Sequence, residues 1–110
     1  MSIDQTDTID FATIDNASGD LCLTISDHLP WDKDEGNHLV FLQNKLNAYL
    51  RFVESGEVFK KVSDARGRAI VINLVGKFPL SQKAESFLVK ARTAVEGAGL
   101  RLQFSLMRPN

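Results

Sequence analysis

The segment spanning residues 26–39 contains the side chains of this chain that are best suited to chemistry. It carries both histidines of the chain and four acids: Asp27, His28, Asp32, Asp34, Glu35 and His38. Imidazoles and carboxylates can bind a divalent metal or transfer protons, so the catalytic candidates are Asp27, His28 and His38. Their spacing matches no established metal motif, since His-Glu-x-x-His is absent, and we expect no metal and no cofactor.

The same residues also have a purely structural interpretation. Asp32 and Glu35 are spaced as in a capping box, and acids in the first turn of a helix are favoured by its dipole. Asp27 and His28 would then pair at a strand end, and Trp31 would cover the helix or the sheet edge. At the level of sequence, the segment is either a site or only a helix cap.

Hydrophobic periodicity predicts the strands around this segment. Residues 8–14 and residues 21–26 read as two strands, and the turn residues 16–19 between them predict an antiparallel hairpin. Residues 69–75 are apolar at both alternating sets of positions, which is typical of a central strand. The alternation over residues 100–106 predicts the last strand.

Two amphipathic helices separate the later strands. Apolar residues at spacings of three and four predict a first helix over residues 39–53. Ser81 is a suitable N-cap for a second helix, which ends before Gly99. Residues 57–62 fit either a short strand or a further helical turn.

These elements predict an α+β fold of order ββαβαβ, a two-layer sandwich with two helices on one face of a four-stranded sheet. We expect a single domain over residues 8–110 after a flexible leader at residues 1–7, with the strand order left open. The other face could be solvated, a homodimer contact or the floor of a ligand site. Its residues are Cys22, Thr24, Ser26, Val71, Asn73, Val75, Arg101, Gln103 and Ser105.

Composition narrows the class of protein. With 44% apolar and 25% charged residues among 110, the chain is typical of a globular protein, and it has no apolar run long enough to span a membrane. A single cysteine and an acidic start without a secretory signal pattern predict a cytoplasmic location.

Charge is divided unevenly along the chain. Residues 1–35 hold nine acids and one base, whereas residues 36–110 hold twelve bases and five acids. The halves either neutralise each other on folding or form an acidic and a basic face. Basic residues around 60–68 form a small cluster, but a pI near 6.1 argues against a dedicated nucleic-acid binder.

Several stretches resemble a family of small bacterial proteins with a domain of unknown function. They are Thr-Ile-Ser-Asp-His-Leu at 24–29, Trp31, His-Leu at 38–39, the stretch from Leu42 to Glu57, and Val-Gly-Lys-Phe-Pro-Leu-Ser at 75–81. The resemblance implies no activity and no catalytic residues. It implies that the following residues belong to the family pattern: Asp27, His28, Trp31, His38, Asn47, Tyr49, Arg51 and Glu54.

Two functional hypotheses remain. The first is a non-enzymatic protein–protein interaction module, self-associating as a homodimer or resembling small inhibitors in size. The second is a small enzyme or a ligand- or metal-binding protein with its site in the loop before the first helix. For that second case the ligand-binding candidates are Trp31, Tyr49 and Arg51.

Overall fold

A four-stranded mixed sheet organises the fold of the computed structural model, which describes residues 11–107. The elements are β1 (Phe11–Ile14), β2 (Leu21–Asp27), α1 (Glu35–Glu54), α2 (Glu57–Lys61), a 3-10 turn (Ser63–Ala65), β3 (Ile70–Gly76), α3 (Gln82–Gly97) and β4 (Arg101–Leu106). The predicted order ββαβαβ is confirmed, and α2 shows that the ambiguous residues 57–62 begin as a short helix. The predicted leader and the start of the first strand lie outside the described residues.

The strands lie in the order β1-β2-β3-β4, which the sequence left open. β1 pairs with β2 antiparallel, whereas β2 with β3 and β3 with β4 are parallel. The register aligns Leu23, Ile72 and Leu102 across the three parallel strands. Parallel strands end at a common edge, so the loops that leave β2 and β3 meet there.

One face of the sheet forms the core with α1 and α3. The strand side chains in it alternate along the chain, as a period of two requires. They share one cluster with residues of both long helices: Leu21, Leu23, Ile25, Leu42, Leu46, Tyr49, Phe52, Ile72, Leu74, Ala84, Leu88, Val95 and Leu102. The two helices therefore cover the same face, as predicted. On the opposite face most side chains are only half-buried or exposed.

The turn from β1 to β2 is held by local hydrogen bonds and by a distant arginine. Asp15 Oδ1 accepts the Ala17 N–H at 2.8 Å, and this bond lowers the pKa of the Asp15 carboxyl group. Arg68 Nη1 donates to the Gly19 carbonyl at 2.7 Å. Arg101 pairs with Asp20 at 2.7 Å, so an acid of the first third of the chain meets a base of the last strand.

Gly76 is the last residue of β3, and the surrounding atoms leave no room for a side chain at this position. A Cβ atom there would lie 2.8 Å from Phe104 Cε1 and 3.3 Å from the Phe78 carbonyl oxygen. The absence of a side chain therefore lets the ring of Phe104 on β4 lie against the end of β3.

We expect Gly76→Ala to destabilise the protein by about 1–3 kcal/mol, because Phe104 would have to move. Gly36→Ala is the matched control, since a Cβ there meets nothing within 4 Å and alanine favours the helix by about 0.5–1 kcal/mol. Urea denaturation of both variants measures the difference. Equal stability of the two variants would contradict the close approach.

Candidate functional site

A buried pair of polar side chains joins the end of β2 to the first turn of α1. His38 Nε2 lies 2.5 Å from Asp27 Oδ2, a distance at which an imidazole N–H donates to a carboxyl oxygen. Each side chain is only 2% exposed. The pair brings together two of the three predicted catalytic candidates.

The periodicity of each element explains why these two residues meet. Leu21, Leu23 and Ile25 face the core, and the same alternation turns Asp27 inward and the next residue outward. His38 lies one helical turn before Leu42, on the buried stripe of α1. This signal was present in the sequence, and it favours Asp27–His38 over the Asp27–His28 pair.

Further hydrogen bonds fix Asp27 in position. Its Oδ1 accepts the Leu29 N–H at 3.1 Å, so the carboxyl group also shapes the start of the following loop. Its carbonyl accepts the Lys77 N–H at 2.8 Å, which ties it to the residue after β3. Asp27 therefore holds the two loops at this edge of the sheet together.

Trp31 covers the imidazole. Its ring stacks on His38 with centroids 3.4 Å apart and planes inclined by 13°. Trp31 is itself buried, so the stack closes the pair off from solvent. Within residues 11–107, His38 Nδ1 is a buried side-chain atom with no hydrogen-bond partner.

The predicted capping box of Asp32 and Glu35 is wrong. Helix α1 begins at Glu35, and its N-cap is Asp34 in the left-handed region, with φ 52° and no side-chain cap bond. Asn37 Nδ2 instead donates to Asp34 Oδ2 at 2.9 Å. The His38 N–H donates to the Asp34 carbonyl at 3.1 Å, so the first helical hydrogen bond forms at Asp34 rather than at Asp32.

The other candidates lie apart from the pair. His28 is exposed. Tyr49 is fully buried, and its hydroxyl donates to the Thr24 carbonyl at 2.8 Å. Tyr49 also lies roughly 16 Å from His38 along the helix axis. Arg51 is exposed on α1. Of the three ligand-binding candidates, only Trp31 adjoins the Asp27–His38 pair.

Sequence reasoning missed Lys45, which is fully buried in α1. Its Nζ lies 5.8 Å from the centre of the Tyr49 ring. Lys45 occupies a position of the apolar stripe between Leu42 and Tyr49, and a charged residue at such a position was the available signal. A lysine is rarely buried unless it is paired, so Lys45 belongs to the polar interior of this fold.

A surface depression of about 610 Å³ lies next to the stack, between the loops that follow β2 and β3. We call it the Trp31 depression, and it is lined by Pro30, Trp31, Asp32, Lys33, Phe78, Pro79 and Ser81. Ser81 Oγ accepts the Ala84 N–H at 3.1 Å, which confirms the predicted N-cap of α3. The hydroxyl is thus engaged within the helix.

The described residues offer few groups for metal or thiol chemistry. Within residues 11–107, no cluster of three or more His, Cys, Asp or Glu side chains is placed to hold a metal ion. Burial raises the pKa of the Cys22 thiol, which keeps it in its less nucleophilic form. In the same residues no helix has the length and apolarity needed to span a bilayer.

The chain belongs to a family of unknown function, DUF6572, whose profile matches residues 1–108. This agrees with the resemblance noted in the sequence and covers nearly the whole chain. No curated protein and no solved structure shows significant similarity to it.

Removing the Asp27 carboxyl group should destabilise the fold. We expect Asp27→Ala to lower the free energy of unfolding by about 2–4 kcal/mol, because it leaves the half-buried Leu29 N–H and the buried His38 imidazole without an acceptor. Asp32→Ala, an exposed acid in the same loop, should change it by no more than about 0.5 kcal/mol. Urea denaturation followed by the fluorescence of Trp31, the only tryptophan, measures both. Similar stabilities for the two variants would refute a structural role for the pair.

Proposed function

We propose that this protein, as a member of a family of unknown function, is a non-enzymatic module that binds another protein through the Trp31 depression. The observation that carries the proposal is the placement of this depression against the Asp27–His38–Trp31 stack. The stack and the hydrogen bonds of Asp27 hold the two loops together, and the depression presents the apolar side chains of Pro30, Phe78 and Pro79 to solvent.

The burial of the polar pair supports binding over catalysis. A general acid or base must come within hydrogen-bond reach of its substrate, whereas Asp27 and His38 are enclosed beneath Trp31. Their hydrogen bonds are directed at Leu29, Lys77 and each other. Asp27 and His38 therefore determine the conformation of the loops. The binding energy comes from the side chains that these loops expose.

The lining of the depression indicates the kind of partner. Pro30, Phe78 and Pro79 supply apolar surface with few rotatable bonds, which loses little conformational entropy on binding. Lys33 and Asp32 place both signs of charge at the rim. We therefore propose a protein partner that inserts an apolar or aromatic side chain flanked by polar residues. The lone Cys22 supports placing this interaction in the reducing cytoplasm.

A small-ligand site, enzymatic or not, is the second candidate, and the buried Nδ1 of His38 favours it. A ligand that donates a hydrogen bond to this atom would have to displace Trp31 from the imidazole. Such binding would shift the fluorescence of Trp31 when a metabolite mixture is added. An unchanged spectrum with every metabolite fraction would argue against this candidate.

Site-specific photocrosslinking tests the protein-binding function. A photoreactive amino acid replaces Lys33 at the depression or, as the control, Lys60 on α2, which lies roughly 30 Å away at the other end of α1. In cells that make the full chain, we expect the probe at position 33 to crosslink a partner protein that the probe at position 60 does not reach. Crosslinks of equal yield from both positions would contradict the proposal.

Purified partner then gives a quantitative test. Phe78→Asp places a charge in the depression and should weaken binding by about tenfold or more. Val40→Asp makes the same change at another exposed apolar residue, outside the depression, and should leave the affinity unchanged. Calorimetry measures both affinities. Unaltered binding by the Phe78 variant would exclude the depression as the contact surface.

A further inference from the structure

β4 forms one edge of the sheet, and alternate backbone groups along it point away from β3. The Met107 N–H donates to the Gly76 carbonyl at 2.7 Å, so the odd-numbered residues direct their backbone groups inward. In a strand, the N–H and C=O of one residue point to the same side, and those of the next residue point to the opposite side. The backbone groups of Leu102, Phe104 and Leu106 therefore point to the free edge.

Only the start of this edge is protected. Arg92 Nε on α3 donates to the Leu102 carbonyl at 3.2 Å. Within residues 11–107, the outward groups of Phe104 and Leu106 make no hydrogen bond. Proteins usually protect such an edge with charges, proline or bulges, whereas residues 102–107 contain no charged residue, proline or glycine.

Exposed apolar side chains gather on the same side of the molecule. Leu106 is 45% exposed and Met107 is 48% exposed, both at the unprotected end of β4. Val89 is 62% exposed and lies three residues before Arg92, on the flank of α3 that reaches this edge. These are three of the five large apolar residues that are exposed among the described residues.

We propose that two copies of the chain pair through β4, antiparallel, with the two-fold axis at Ser105. Phe104 then lies opposite Leu106 of the partner subunit, and the two such pairs exchange four backbone hydrogen bonds. The exposed Leu106 is covered by the partner, and the Arg92–Leu102 bond stays in place. The result is a continuous eight-stranded sheet.

The chemistry of the edge favours a second copy over an unrelated strand. Two identical antiparallel edges are self-complementary about a two-fold axis, so each copy satisfies the groups that the other leaves open. The two Arg101 side chains stay apart, because Arg101 of each copy lies four residues from the axis. The two arginines are then separated by roughly 27 Å along the strands.

Light scattering and sedimentation equilibrium of the full chain test the dimer. We expect the unmodified chain to be dimeric. Leu106→Lys should weaken the dimer by about tenfold or more, because it places a charge at the unprotected edge. Val40→Lys is the matched control, since Val40 is 49% exposed on α1 and should leave the dimer unchanged. A monomeric unmodified chain, or equal dimerisation of the two variants, would overturn the proposal.

Disulfide trapping tests the register independently of any loss of folding in the Leu106 variant. Across the axis, the Cα atoms of Ser105 and Ser105 of the partner subunit would lie about 4.5 Å apart, within the range of a disulfide. In a Cys22→Ser background, Ser105→Cys should oxidise to a covalent dimer. Gln103→Cys should not, because its Cα atoms would be roughly 14 Å apart. Equal crosslinking at both positions would overturn this register.

The dimer and the protein-binding function can fail separately. Phe78→Asp alters the Trp31 depression, which lies at the carboxyl ends of β2 and β3 and includes no residue of β4. This variant should therefore dimerise like the unmodified chain. Loss of the dimer in this variant would contradict the assignment of the interface to the β4 edge.

Discussion

The hydrogen bond between Asp27 and His38 determines how the sheet and the first helix meet. Asp27 is the acceptor for both His38 and the Leu29 N–H, and the ring of Trp31 covers the imidazole, whose Nδ1 has no hydrogen-bond partner among the described residues. The carbonyl of Asp27 extends the same arrangement to Lys77. One residue at the end of β2 thus positions both loops, and the surface between them depends on it.

Local signals in the sequence predicted the elements but not their partners. The apolar stripe that begins at Leu39 predicted α1 without its first turn, because the buried residue of that turn is His38 rather than an aliphatic one. Ser81 was predicted correctly because a cap depends on a few adjacent atoms. Strand order depends on contacts between residues that are far apart in the sequence. Periodicity does not encode such contacts, so the order β1-β2-β3-β4 could not be predicted.

For the site as well, the sequence predicts which residues matter but not which of them are in contact. Residue types singled out the segment 26–39, and the structure brings Asp27, Trp31 and His38 of it together. Adjacency in sequence suggested His28 as the partner of Asp27, but a strand turns adjacent residues to opposite faces. The burial of Lys45 was not predicted, because the buried stripe of the helix is inferred from apolar residues alone. Its burial follows from its position on the stripe rather than from its chemical type.

The connectivity of the sheet also bears on how the chain folds. Among the strands of residues 11–107, only β1 and β2 are joined by a short turn, whereas each of the parallel pairings closes a loop that contains a whole helix. Such pairings lose chain entropy before their contacts form, so folding is slower than in helical domains of the same length. Until β3 pairs with β2 and β4, the side chains of Ile70, Ile72 and Leu74 are exposed to solvent. Newly made chains are therefore most susceptible to aggregation during that interval.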